Sequence, residues 1–107
     1  MTVPTVTVKD YALERTYDSP AVLLDVRESF EVEIASIEGS IHIPLGQLGD
    51  RVGELSSDQP YVVMCHHGGR SERATRYLLA HGLMDVRNLE GGIDAWSVHV
   101  DPEIPRY

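Results

Sequence analysis

Apolar residues along this chain come in short runs separated by polar breaks, and two spacings recur. The runs at 21–26 and 61–64 are nearly continuous and rich in valine and leucine. That pattern predicts strands covered on both faces. Residues 86–89 predict a third such strand, residues 41–43 a very short one stopped by Pro44, and the alternating 5–8 an edge strand. Between them the spacing turns helical. Residues 71–81 predict a helix with Ala74, Tyr77, Leu78 and His81 on one face and a Glu72–Arg76 pair at i,i+4, ended by Gly82. A brief helix capped by Asp10 is expected to run to Tyr17, with Tyr11, Leu13 and Tyr17 as its apolar positions. Residues 30–35 predict another, capped by Ser29. Residues 45–55 have helical apolar spacing with interior glycines that weaken it. Gly91 and Gly92 open a last helix carrying Ile93, Ala95 and Trp96, and the prolines at 102 and 105 predict an extended segment after it.

Short apolar strands alternating with helices predict an α/β fold with a mostly parallel sheet flanked by helices on both faces. At 107 residues the chain fits one domain, residues 1–107, and an apolar content of 42% is enough for a conventional core. In such sheets ligands sit beyond the carboxyl ends of strands. Cys65 stands at that place on the 61–64 strand.

Charge narrows the candidates. Nine basic residues against 17 acidic ones give a net charge of −8. A surface this acidic repels phosphate backbones and anionic lipid, so neither nucleic acid nor membrane is an expected partner. No apolar run approaches the roughly 20 residues of a bilayer span, and the first residues show no export signal. The single cysteine excludes a disulfide within the chain and a multi-cysteine metal site, and it fits a reducing cytoplasm. No cofactor is implied. Adjacent histidines rarely ligate one metal, and no other ligand cluster accompanies His66 and His67.

The segment Cys65-His66-His67-Gly68-Gly69-Arg70-Ser71 carries the chemistry. A buried strand enters it and a helix leaves it, so the backbone amides between lack sheet or helix partners. A tight turn can point them inward as an anion nest, with Gly68 and Gly69 permitting the unusual dihedrals. The helix start adds free N–H groups, and Arg70 adds a full charge. Each favours thiolate over thiol at Cys65. Arg70, Arg73 and Arg76 face only Glu72 between Cys65 and Ala80, which makes this stretch basic within an acidic chain. Alternatives stay open for the side chains. His66 and His67 either supply donors to an anion or point to solvent. Arg70 either enters the site or braces the loop against a carboxylate such as Glu28 or Asp25. Ser71 either donates to the Cys65 sulfur or caps the helix. Asp25 and Arg27 share the rim with Cys65 and read as polar anchors. His42, His81 and His99 read as structural, and Trp96 with Ile93 as core.

The loop resembles the active-site loop of rhodaneses, the sulfurtransferases, which often reads Cys-x-x-Gly-x-Arg-Ser/Thr. Leu23-Leu24-Asp25-Val26-Arg27-Glu28, Glu38-Gly39-Ser40-Ile41-His42-Ile43-Pro44, and Gly82-Leu83 through Leu89-Glu90-Gly91-Gly92-Ile93-Asp94-Ala95-Trp96 are similar to that family's other signatures, in order. Ser40 replaces the histidine common in the second. The segment after Trp96 is similar to rhodanese domains fused to ubiquitin-activating-like enzymes. The resemblance implies a single rhodanese-like domain with a five-stranded sheet. It also implies a persulfide on Cys65, loaded by a small anionic donor such as thiosulfate and discharged to cyanide, a thiol or a sulfur-acceptor protein. Related phosphatases have five residues between cysteine and arginine. Four lie here, which favours a sulfur atom over phosphate. The alternatives are a non-enzymatic interaction module and a protein-loaded sulfur carrier with little thiosulfate activity.

Overall fold

The computed structural model describes residues 2–107. Five strands, β1 (Thr5–Val6), β2 (Val22–Asp25), β3 (Ile41–His42), β4 (Tyr61–Met64) and β5 (Val86–Leu89), form one all-parallel sheet in the order β1-β5-β4-β2-β3. Five α-helices connect or follow them: α1 (Val8–Glu14), α2 (Ser29–Ile34), α3 (Leu48–Arg51), α4 (Gly69–Ala80) and α5 (Gly92–His99).

The near-continuous apolar runs follow from burial on both sides. Every residue of β4 is buried. Val63 points into a core with Leu24, Ile43, Leu48, Ala74 and Leu78, on the side of α3 and α4. Val62 and Met64 point the opposite way, into a second core with Tyr11, Leu23, Leu89, Ile93 and Trp96, beneath α1 and α5. Successive side chains of a strand face opposite sides, so a strand between two helical layers has no polar face to offer.

Several boundaries differ from the sequence-based expectation, each through local backbone chemistry. Thr7 caps α1 in place of Asp10. Its hydroxyl accepts the Asp10 N–H at 3.1 Å, which puts Asp10 in the first turn. Tyr11 is buried, whereas Leu13 and Tyr17 are exposed. Glu28 holds the cap position of α2 in place of Ser29, and its N–H donates to the Glu31 carboxylate at 2.9 Å. The 45–55 stretch does not form one helix. It divides into a 3-10 turn at Leu45–Gln47, α3, and another 3-10 turn at Val52–Glu54, as its interior glycines allow. α4 starts at Gly69, two residues early, because Gly68 takes a left-handed conformation and turns the chain into the helix.

The register places Asp25 of β2 beside Met64 of β4, so the carboxyl ends of both strands are level. Two residues past β2, Arg27 is fully buried. Its Nε and Nη2 reach the Asp25 carboxylate at 3.0 and 2.7 Å, and Nη2 also donates to the Ala35 carbonyl at 2.7 Å. Nη1 donates to the Glu31 carbonyl at 3.3 Å and to the Tyr107 hydroxyl at 2.8 Å. This guanidinium therefore ties α2 to the sheet edge that bears Cys65. Arg27→Met leaves Asp25 charged and buried without its cationic partner, and is expected to cost about 3–5 kcal/mol of unfolding free energy. Urea denaturation of the variant against the parent checks it.

Candidate active site

Cys65 follows β4 directly, at the carboxyl edge of the sheet, and only 1% of its surface is exposed. The chain then turns sharply. Gly68, with φ +117°, brings its own N–H back to Cys65 Sγ at 3.0 Å. A side chain at that φ is strained, so glycine is required for this contact. Ser71, in the first turn of α4, places its hydroxyl 3.3 Å from the same sulfur. The sequence left Ser71 between sulfur donor and cap. Gly68 holds the cap position, and the Ser71 hydroxyl faces Sγ and Asn88. Asn88, on β5, accepts from Ser71 through Oδ1 and donates through Nδ2 to the Gly68 carbonyl at 3.2 Å. One buried amide thus sets both groups that reach the sulfur.

The loop is held from beneath by α5. The Ile93 N–H donates to the Cys65 carbonyl at 2.9 Å, and the Asp94 N–H to the His66 carbonyl at 3.1 Å. These are free first-turn donors of the helix, and they fix the loop carbonyls away from the sulfur. A Cβ on Gly92 would run into the carbonyls of Cys65 and His66, so only glycine permits this approach.

Arg70 braces the loop, and the carboxylate it uses is Glu31, not Glu28 or Asp25. Nη1 and Nη2 reach Glu31 Oε2 and Oε1 at 2.7 and 2.8 Å in a bidentate pair. Arg70 is the main cause holding the buried Glu31 carboxyl at about 2, with the Glu28 N–H and the Tyr107 hydroxyl assisting against burial. Of the three arginines expected at a basic mouth, Arg70 is thus committed to Glu31 and Arg76 lies 3.4 Å from Glu72. Arg73 is exposed and makes no ion pair among the described residues.

His66 and His67 stack on each other with centroids 4.0 Å apart, and Tyr107 lies flat on the far face of His66 at 3.9 Å and 6°. Burial, and then the proximity of His67, lower the His66 pKa and favour its neutral ring. His67 is mostly exposed, 3.9 Å from Asp94. His42, expected to be structural, contacts the Arg27 carbonyl through Nε2 at 2.6 Å. His81 contacts the Tyr77 carbonyl.

Four residues of this region were missed by sequence reasoning: Glu31, Asn88, Gly92 as a packing requirement, and Tyr107. The doubled glycine was a visible signal, whereas Asn88, beside Arg87 in the 86–89 segment, gave none. Tyr107 had none.

The geometry now stands beside known proteins. The rhodanese-like domain model matches residues 8–99, and the chain belongs to that family. It is 43% identical over 91 residues to the rhodanese-like/PpiC domain-containing protein 12, chloroplastic, of Arabidopsis thaliana, covering 81% of this chain but only 30% of that protein. It is 38% identical over 76 residues to the thiosulfate sulfurtransferase GlpE of Pseudomonas syringae pv. syringae, covering 71% of this chain and 72% of that one. The crystal structure of a rhodanese-like domain protein from Staphylococcus aureus superimposes with a TM-score of 0.85 at 26% identity, over 97% of this chain and 98% of that one. The sequence signatures and the α/β fold expected from them are therefore those of the family. Among the described residues, no helix is long and apolar enough to cross a membrane.

The Glu31–Arg70 pair predicts a pH dependence. The folded carboxyl sits at about 2 against an ordinary 4.5. Its stabilisation is complete above the ordinary value and is lost as pH falls from there toward about 2. Urea midpoints measured from pH 7 down to 2 should fall along this limb in the parent. In Glu31→Gln the midpoint should start lower at pH 7 and fall less steeply. Glu14 and Asp94, also lowered by arginine partners, leave a residual slope.

Proposed function

We propose that this chain is a sulfurtransferase of the thiosulfate type, working through a persulfide on Cys65. The observation that carries the reading is the Gly68 N–H held 3.0 Å from Sγ in a loop whose Cys65, His66 and Gly68 carbonyls are taken up elsewhere. A donor fixed on sulfur before reaction stabilises charge there without reorganising.

The Cys65 thiolate attacks the outer sulfur of thiosulfate. A new S–S bond forms, the S–S bond of thiosulfate breaks, and sulfite departs with the electron pair. A nucleophilic acceptor, cyanide or a thiolate, then attacks the outer sulfur. Its bond to that sulfur forms, and the electrons of the Cys65 S–S bond return to Cys65 as thiolate. This is ping-pong covalent catalysis, balanced without an external oxidant or reductant. The first-turn N–H groups of Gly69, Arg70 and Ser71 lack acceptors within α4 by helix geometry and are free to receive the outer sulfur. His66, His67 and Arg70 act in this reading as the frame of the loop, with Asp25 and Arg27 supporting it through α2. A single thiol operating as a reactive thiolate suits a reducing compartment such as the cytoplasm. No nucleic acid or lipid enters the cycle.

Incubation with thiosulfate should add one sulfur atom, about 32 Da, to the intact protein. Cyanide should remove it, and Cys65→Ser should take up none. Absence of any gain in the parent would leave a non-enzymatic module. Gain from a persulfidated protein donor but not from thiosulfate would make the chain a carrier. Ser71→Ala removes the hydroxyl that lies against the sulfur while sparing the backbone. Steady-state turnover of thiosulfate with cyanide should fall by about ten- to a hundred-fold.

A further inference from the structure

The segment 101–107 returns from α5 across the candidate site. Ile104 packs against the core beneath α1 and α5, and its carbonyl accepts from the Ser97 hydroxyl. Arg106 forms a forked pair with Asp94, at 2.9 and 3.2 Å, on the residue whose N–H holds the His66 carbonyl. The Tyr107 hydroxyl accepts from Arg27 at 2.8 Å and donates to Glu31 at 3.0 Å. Its ring covers His66. His66 Nε2 is buried with no hydrogen-bond partner among the described residues, while a hydrogen bond to the Tyr107 backbone and the stacked rings hold this side chain in place.

These contacts define a wall of three rings, Tyr107, His66 and His67, rising from the residue next to the reactive sulfur. The wall is stiff, because swinging Tyr107 aside breaks both hydrogen bonds of its hydroxyl and uncovers His66. Cys65 itself is only 1% exposed, so the way to its thiol is narrow, and Tyr107 remains 36% exposed.

We propose that Tyr107 is a specificity-determining residue. Its ring, clamped on His66, limits the width of the approach to Cys65 and restricts the second substrate to slim thiophiles such as cyanide, a small thiol or a thiol at the end of an extended chain. The role in acceptor choice rests on the sulfurtransferase reading above. The wall itself does not, and the experiment separates the two.

Cys65 is the only thiol in the chain, so its alkylation can be followed without interference. Rates with iodoacetamide and with N-pyrenylmaleimide give a size-discrimination ratio that needs no sulfur transfer. In the parent the small reagent should be strongly preferred. Tyr107→Ala should lower that preference by about tenfold or more, and Tyr107→Phe, which keeps the ring and loses the hydroxyl, should retain most of it. Tyr107→Leu preserves apolar filling without a flat ring, should behave as Tyr107→Ala does, and carries the test if the alanine variant does not fold. An unchanged ratio in the variants lacking the ring, equal acceleration with both reagents, or a parent thiol inert to both would overturn the wall. Where the parent forms a persulfide, the ratio of kcat/KM for cyanide to that for a bulky aromatic thiol should fall in the same variants. A ratio that stays constant there would overturn the acceptor role even if the alkylation result stands.

Discussion

Everything at the carboxyl edge of this sheet depends on where the loop after β4 sends its carbonyl groups. A peptide unit that points its N–H at a sulfur must point its C=O away, and a buried carbonyl pointing away needs a donor. The first turn of α5 supplies it. Ile93 and Asp94 take the carbonyls of Cys65 and His66, and Gly92 lets the helix come close enough to do so. The Gly68 carbonyl, two residues on from that of His66, is taken by Asn88 and by the Glu72 N–H of α4. With those oxygens satisfied, the Gly68 N–H is left to the sulfur. Two helix N-termini therefore cooperate around one cysteine: α5 holds the backbone from below, and α4 opens its free N–H groups above.

A second chain of contacts keeps this arrangement upright from the side. Asp25 and Arg27 form a buried pair at the end of β2, Arg27 fastens α2, α2 presents Glu31, and Glu31 grips Arg70. Each link is charge-assisted and mostly shielded from water, which gives directional stiffness. The loop arginine is neutralised by its brace, so the local field rests on fixed N–H dipoles. Fixed dipoles need no counterion and do not titrate.

The parts of the fold that burial dictates are legible in the sequence. β4 is plain because four consecutive apolar residues have no alternative to a strand between two helical layers, and α4 because its apolar face repeats at helical spacing. The position of Cys65 follows from β4, and the left-handed turn from the glycine pair at 68 and 69. Helix starts are less legible, since Thr7 against Asp10 and Glu28 against Ser29 differ only in which residue adopts extended dihedrals. The brace was legible as a need but not as a partner: Arg70 calls for a carboxylate, and Glu31 is chosen by the orientation that Arg27 gives α2, a tertiary effect. Asn88 and Tyr107 lie beyond local pattern altogether. Their roles come from parallel strand order and from a segment that crosses back over the site, neither of which leaves a periodic trace.

The account stands or falls on whether the turn is already shaped to receive a second sulfur. A crystal structure of the protein soaked in thiosulfate tests this directly. The expected result is one extra atom bonded to Cys65 Sγ, lying against the N–H groups of residues 69–71, with the Gly68 N–H contact kept and the loop unmoved. A bare sulfur, or an occupied one in a loop rebuilt so that carbonyls face it, would contradict the account.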